Sequence, residues 1–163
     1  MKIVQTPLKN CVVLTPTVFS DGRGRFFESY KKETFNEALG QEVNFVQDNE
    51  SFSSKGVLRG LHFQKGTFAQ AKLVRVVHGS VLDVAVDLRP DSSTYGQHFS
   101  IELSADNKKQ LSKSTYFFTA GFSKRRRRYL ISSGLLLRFL SIRCTALNDS
   151  GRASNSAQAA TRS

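Results

Sequence analysis

The sequence predicts an all-β domain, a barrel or a sandwich. Three observations carry that expectation: a succession of short β-branched or aromatic runs, turn signals at short intervals between them, and only one stretch of helical composition. With 163 residues and 39% apolar content, the chain has room for one packed domain around one core.

Cys11-Val12-Val13-Leu14 is a compact apolar run that reads as a strand. Ser20-Asp21-Gly22-Arg23-Gly24 is a turn cluster, because Gly and Asp tolerate a positive φ. Phe26 to Tyr30 reads as the next strand. Lys32 to Leu39 has helical composition, and Gly40 is placed to stop it. Lys72 to His78 reads as a strand, Gly79-Ser80 as a turn, and Val81 to Leu88 as a second strand. Period-2 alternation sets Asp83 and Asp87 on one face of that strand, with Leu82, Val84, Val86 and Leu88 on the other. Were these two strands a hairpin, Lys72 would lie opposite Asp87, or, one residue out of register, Arg75 opposite Asp83. Sequence does not choose between the two. Gly96 to Leu103 is a further strand and Ala105 to Lys108 a further turn.

Charge divides the chain. Residues 1–110 hold 14 Lys or Arg and 12 Asp or Glu, whereas residues 111–163 hold 10 basic residues and Asp149 as their one acid. The net charge of +11 therefore belongs mainly to the C-terminal third. That region includes Arg125 to Arg128 and a Leu-rich run from Leu130 to Ile142. It ends in an aperiodic Ser, Ala, Asn, Arg and Gln stretch that reads as unstructured. Four consecutive arginines invite a reading as a nonspecific nucleic-acid binder. The absence of interleaved aromatics argues against it, and a solvated basic tail is the plainer expectation.

Other function classes are excluded on similar grounds. Cys11 and Cys144 are far apart and form no C-x-x-C, so two reduced thiols in a cytoplasmic protein are expected rather than a disulfide framework. The start, Met1 to Pro7, does not look like a signal peptide, and no apolar run is long enough to span a membrane. His62, His78 and His98 are scattered, which argues against a metal site. No P-loop or G-x-G-x-x-G opens a helix, so no nucleotide cofactor is suggested.

The chemically informative segment runs from Asn44-Phe45-Val46-Gln47-Asp48-Asn49 to Gly56-Val57-Leu58-Arg59-Gly60-Leu61-His62-Phe63-Gln64. It sets amides, a guanidinium and an imidazole among short apolar anchors. Alternation places Leu58, Gly60, His62 and Gln64 on one face and Arg59, Leu61 and Phe63 on the other. His62 offers a base near neutrality. Lys72, Arg75 and Asp83 lie on following strands, and a lysine can stabilise a developing oxyanion. A lone strand histidine is more commonly a hydrogen-bonded core residue, and the charges could be no more than a cross-strand ion pair on a solvated face.

These residues, together with Asp21-x-Arg23-Gly24-x-Phe26-x-Glu28, Ser53-Ser54-Lys55 before Gly56, Lys72-Leu73-Val74-Arg75-Val76-Val77-x-Gly79 and Asp83-Val84-Ala85-Val86-Asp87-x-Arg89, resemble the dTDP-4-dehydrorhamnose 3,5-epimerase family. The resemblance covers about residues 1–111. It implies a metal-free, cofactor-free cupin-type jelly roll that forms homodimers with a shared active site. It implies a dTDP-4-keto-6-deoxy-D-glucose substrate in dTDP-L-rhamnose synthesis. It makes His62 the base, Lys72 the stabiliser of the enolate oxygen, and Asp83 the support of the polar network around it. Arg59 would bind the diphosphate, and Gln47, Asp48 and Asn49 would meet the substrate. Arg23, Glu28, Phe19 and Phe26 would hold the thymidine end from the partner subunit, although Phe19 and Phe26 could equally be plain core residues. A related single-carbon epimerase or ketoisomerase is the second enzyme reading.

The likeness stops near Leu111. The family continues with an Ile-Pro-x-Gly-Phe-x-His-Gly-Phe segment, then a tyrosine acting as general acid and an aspartate paired with the catalytic histidine. Here the chain reads Ser112-Lys113-Ser114-Thr115-Tyr116-Phe117-Phe118-Thr119-Ala120-Gly121-Phe122, with no His-Gly. Tyr129 and Asp149 are the later tyrosine and acid, and neither takes those roles. A reading-frame shift near residue 111 would account for the break. Residues 112–163 are then expected to be a divergent basic tail and the jelly roll to be altered at its C-terminus.

Overall fold

The computed structural model describes residues 1–123 and 129–135. Arg125 to Arg128, Cys144, Asp149 and the low-complexity end, all singled out in the sequence, lie outside the described residues. In chain order the elements are β1 Lys2–Gln5, β2 Cys11–Thr15, β3 Phe19–Asp21, β4 Gly24–Phe26, α1 Lys32–Leu39, β5 Gln47–Ser53 and β6 Leu58–His62. They continue with β7 Lys72–His78, β8 Ser80–Asp87, β9 His98–Ser104, β10 Gln110–Lys113, β11 Phe117–Ser123 and β12 Tyr129–Leu135.

Among the described residues the strands form a six-stranded sheet, β1-β2-β10-β7-β12-β5, and a four-stranded sheet, β6-β11-β8-β9, with β3 and β4 as a separate ribbon. The pairings are antiparallel. The fold is the all-β jelly roll. Its order explains a failed expectation: β7 and β8 do not pair as a hairpin. Gly79, at φ 76°, passes the chain from one sheet to the other. Neither proposed Lys72 or Arg75 register therefore exists. The strand expected from Phe26 to Tyr30 also fails, because β4 ends at Phe26.

The core lies between the sheets. Cys11 and Val13 of β2, Val74 and Val76 of β7, Val81 and Ala85 of β8, Leu103, Leu111 and Phe117 pack there. The other face of the six-stranded sheet is covered by α1, where Phe35 meets Val12, Leu14, Val43 and Leu73. β2 is thus buried on both faces, which is why its sequence is a continuous apolar run rather than an alternating one. Helix α1 ends as its sequence indicates: Gly40 takes a left-handed conformation at φ 65°, and its amide and that of Gln41 bond to the carbonyls of Glu37 and Asn36. Tyr30, Phe35 and Phe45 stack edge-on at centroid distances of 5.3–5.5 Å beneath it.

Alternation in β8 holds, with a reversal of meaning. Asp83 and Asp87 share the buried face with Val81 and Ala85, while Leu82, Val84 and Val86 are only half-buried. Asp87 is satisfied by its own loop. Its carboxylate accepts bonds from Arg89, Ser92 and Thr94, and the Arg89 guanidinium lies 4.7 Å from the Phe117 ring centroid. Residues 112–123 and 129–135 also supply strands to both sheets, so the expected boundary at residue 111 falls inside β10.

Burial works to raise the Asp87 carboxyl, but the Arg89, Ser92 and Thr94 bonds outweigh it and hold the group well below the usual carboxylate range. A depressed folded-state value contributes stability that is present above the unfolded value of about 4 and is lost as the pH falls through the folded one. Asp87→Asn is expected to lower stability at neutral pH by about 3 kcal/mol and to flatten the acid limb of a urea-denaturation series. An unchanged acid limb would show that Asp87 does not carry it. At Gly60, φ is +124°, and an added Cβ would sit 2.3 Å from the Thr119 carbonyl oxygen and 2.7 Å from the Ala120 Cα. Gly60→Ala is expected to cost about 2 kcal/mol or more in the same assay; a cost below about 0.5 kcal/mol would mean that β6 and β11 separate easily.

Candidate active site

The register of the two sheets assembles the site. Leu135 of β12 lies opposite both Gln47 of β5 and Lys72 of β7, and Lys113 of β10 lies opposite both Lys72 and Cys11 of β2. One transverse row of the six-stranded sheet therefore carries Gln47, Lys72, Lys113 and Cys11 on its inner face. In the facing sheet one row runs from His62 through Thr119 to Ala85, and another from Arg59 through Gly121 to Asp83. Thr119, Ala85 and Asp83 are buried, which makes this the inner face.

A bulge sets the direction of the two functional groups on β6. Thr119 pairs with His62 and Gly121 pairs with Arg59, so three residues of β11, 119–121, span four of β6, 59–62. That extra residue brings Arg59 and His62 to the same face, against the simple alternation read from the sequence. Leu58 and Leu61, 49% and 59% exposed, stay outside. Arg59 also ties the rims of the two sheets, donating from Nε to the Ser53 Oγ at 2.6 Å and from Nη2 to the Phe52 carbonyl at 2.8 Å.

The electrostatics suit acid–base chemistry near neutrality. His62 is open to solvent along one side, yet surrounding protein and the ammonium groups of Lys72 and Lys113 together hold its pKa below the ordinary value. The imidazole is therefore neutral at pH 7 and able to accept a proton. Lys72 is pulled down to about 8, first by burial and then by the like charge of Lys113, with Asp83 opposing. It remains largely cationic at pH 7 and faces the same interior. Asp83 is paired with Lys113, whose Nζ donates to both carboxylate oxygens at 2.9 Å. Sequence reading missed Lys113. No motif flags it, and only the register reveals that it points inward.

The remaining sequence candidates fall into three places. Gln47 and Asn49 share the inner side of β5, with the Gln47 Nε2 donating to the Asn49 Oδ1 at 2.8 Å. Asp48, between them, lines a cleft of about 310 Å³ with Arg75, Tyr30 and Gln110, a cleft that Gln47 also borders and His62 does not. Arg75 likewise points away from the imidazole, contrary to the grouping drawn from the sequence. Phe19 and Phe26 are cross-strand partners on the β3–β4 ribbon, 62% and 74% exposed, so they are not core residues. Arg23 closes the ribbon's turn through an ion pair to Asp21 at 2.6 Å, and Glu28 is exposed beyond β4. Of the two residues weighed for the general-acid and dyad roles, Asp149 lies outside the described residues and only the backbone of Tyr129 is described. Among the described residues there is no cluster of three His, Cys, Asp or Glu side chains able to hold a metal, and no helix is long and apolar enough to cross a membrane.

Comparison with known proteins gives a consistent result. A sequence-family model described as dTDP-4-dehydrorhamnose 3,5-epimerase matches residues 5–127, beyond Leu111. The dTDP-4-dehydrorhamnose 3,5-epimerase of Escherichia coli strain K12 is 54% identical over 111 residues, covering 68% of this chain and 60% of that relative. The crystal structure of dTDP-4-dehydrorhamnose 3,5-epimerase from Elizabethkingia anophelis NUHP1 matches with a TM-score of 0.81 and 44% identity, over 92% of this chain and 81% of that one. The dTDP-6-deoxy-D-glucose-3,5-epimerase of Legionella pneumophila Philadelphia 1, solved with dTDP-4-keto-L-rhamnose, matches with a TM-score of 0.80 and 37% identity, over 85% and 73% of the two chains. The chain spans about 60% of the length of the curated relatives it matches. With the jelly roll, the inward imidazole and the lysine facing it across the sheets, these matches show that the chain belongs to the dTDP-4-dehydrorhamnose 3,5-epimerase family.

Proposed function

We propose that the chain epimerises carbons 3 and 5 of dTDP-4-keto-6-deoxy-D-glucose, the step that leads toward dTDP-L-rhamnose. The observation that carries this reading is the neutral His62 facing the cationic Lys72 across the interior. The C4 ketone acidifies the protons on the carbons at either side of it. His62 takes such a proton, the electrons move onto the ketone oxygen, and the Lys72 ammonium stabilises the resulting enolate. A proton returned from the opposite face inverts the carbon. Arg59 meets the diphosphate with its planar guanidinium, and Gln47 and Asn49 bond to the sugar. The exposed Phe19 and Phe26, with Arg23 and Glu28, reach the thymidine end of a partner subunit's ligand. The chemistry uses no metal or cofactor, and the setting is the cytoplasm.

Residues 1–111 are the family-like unit in this proposal, and residues 112–163 derive from a shifted reading frame. Without the family's tyrosine acid and His-Gly segment, turnover is expected to be slow. NMR of the product formed in D2O tests the reading. Deuterium is expected at both carbons over a long incubation, with His62→Ala reducing uptake by about 10²-fold or more. Uptake at one carbon alone would make this a single-carbon epimerase, and uptake unaffected by H62A would remove His62 as the base.

The partner we propose is a second copy of this chain. Leu58, Leu61 and Phe122, 42–59% exposed, lie on the outer side of the four-stranded sheet, where Leu82 and Val84 are half-buried. Light scattering is expected to give a dimer mass, and Phe122→Glu a monomer. A monomeric parent chain would contradict the shared-site arrangement.

A further inference from the structure

Lys113 is the last residue of β10, inside the span 5–127 that the family model matches. It is 1% exposed, and a buried ammonium requires a strong partner. That partner is Asp83 of β8, bonded through both carboxylate oxygens at 2.9 Å. Because β10 and β8 belong to different sheets, the ion pair crosses the interior instead of running along a strand. Lys113 also lies directly opposite Lys72 in the β10–β7 register. Among the described residues no hydrogen bond or ion pair ends on the Lys72 ammonium.

We infer that Lys113 is a positioning residue of this site: by occupying both oxygens of Asp83 it keeps that carboxylate from pairing with Lys72 and leaves the Lys72 ammonium to meet an oxyanion beside His62. The inference rests on the epimerase reading for its purpose, though not for its electrostatics, and it is specific to this chain, because Lys113 lies in the segment attributed above to a shifted reading frame. An unengaged Asp83 would turn to the nearest cation. A lysine neutralised in that way has its hydrogen bonds spent and its charge compensated before a substrate arrives. With Lys113 in place, two ammonium groups and one carboxylate leave a net positive charge in front of the imidazole, which favours an enolate there.

The charged and titratable groups facing Lys72 agree with this arrangement. They are His62 from β6, Asp83 from β8, Lys113 from β10 and the Cys11 thiol from β2. Burial pushes the thiol up to about 11, so it is neutral and adds no charge at working pH. Lys113 depresses Lys72 more than Asp83 raises it.

The test measures Lys72 directly in the full chain, with no sugar nucleotide present. The pH dependence of its acetylation by acetic anhydride is read by peptide mass spectrometry. The parent is expected to be half-reactive near pH 8. Lys113→Met is expected to move that midpoint up by about one pH unit, through loss of the like charge and release of Asp83. Asp83→Asn is expected to move it down, and Lys113→Arg to leave it unchanged. Midpoints that stay fixed, or move the same way in K113M and D83N, overturn the inference wherever circular dichroism shows the variants folded. Should K113M not fold, K113M/D83N removes the pair together. It is expected to give a smaller upward movement, and no movement or a downward one overturns the inference. Because no turnover is measured, a chain that fails to epimerise leaves this result standing, and a fixed Lys72 midpoint leaves the epimerase reading standing.

Discussion

A lysine and an aspartate, both nearly inaccessible to water, face each other across the gap between the two sheets. Desolvating two such ions costs several kcal/mol each, and only close, two-oxygen geometry of the kind seen here offsets it. The pair therefore constrains everything around it. β10 must hold its register against β7 and β2, and β8 must present its aspartate face inward. The sheets must stay close enough for the bond. The core on one side of the pair is apolar, built from Leu8, Val74, Val81 and Leu103. On the other side the interior turns polar, and there it holds an imidazole, a second ammonium and a guanidinium.

That change from apolar to polar is what makes a site out of a sandwich. The functional groups come from five strands, β5, β6, β7, β8 and β10, so the chemistry does not reside in one continuous segment. The strands fix positions to within a residue, and departures from regularity set directions. The bulge opposite Thr119 turns Arg59 and His62 to the same side. Gly60 lets the backbones of β6 and β11 approach where a side chain would collide. Asp87 plays the opposite part to Asp83. It lies on the same face, but its own loop saturates it, so it rigidifies the end of β8 and adds nothing reactive.

What the sequence made legible were the local features. Helix Lys32–Leu39 and its Gly40 stop follow from composition and one glycine, and both are found where the sequence puts them. The alternation of Asp83 and Asp87 was legible too, although polarity alone suggested a solvated face. Pairing was not legible, because it is decided by residues far apart in the chain. Gly79-Ser80 looks like a hairpin turn, yet it leads from one sheet to the other. The His62 face was misjudged for a related reason, since a single extra residue in β6 inverts the parity of everything before it. Lys113 was invisible because its neighbours Ser112 and Ser114 give no sign of burial; its place is set by Cys11 and Lys72, on strands distant in sequence.

The arrangement is tested most directly by the imidazole resonances of the protein during titration with dTDP-4-keto-6-deoxy-D-glucose. His62 faces Lys72, whereas His78 ends β7 six residues beyond Lys72 and His98, paired with Val86, lies on the outer side of the four-stranded sheet, three strands across from His62. Saturable displacement of the His62 resonances, with those of His78 and His98 unmoved, is the result the geometry predicts. A ligand that binds while His62 stays silent would contradict it.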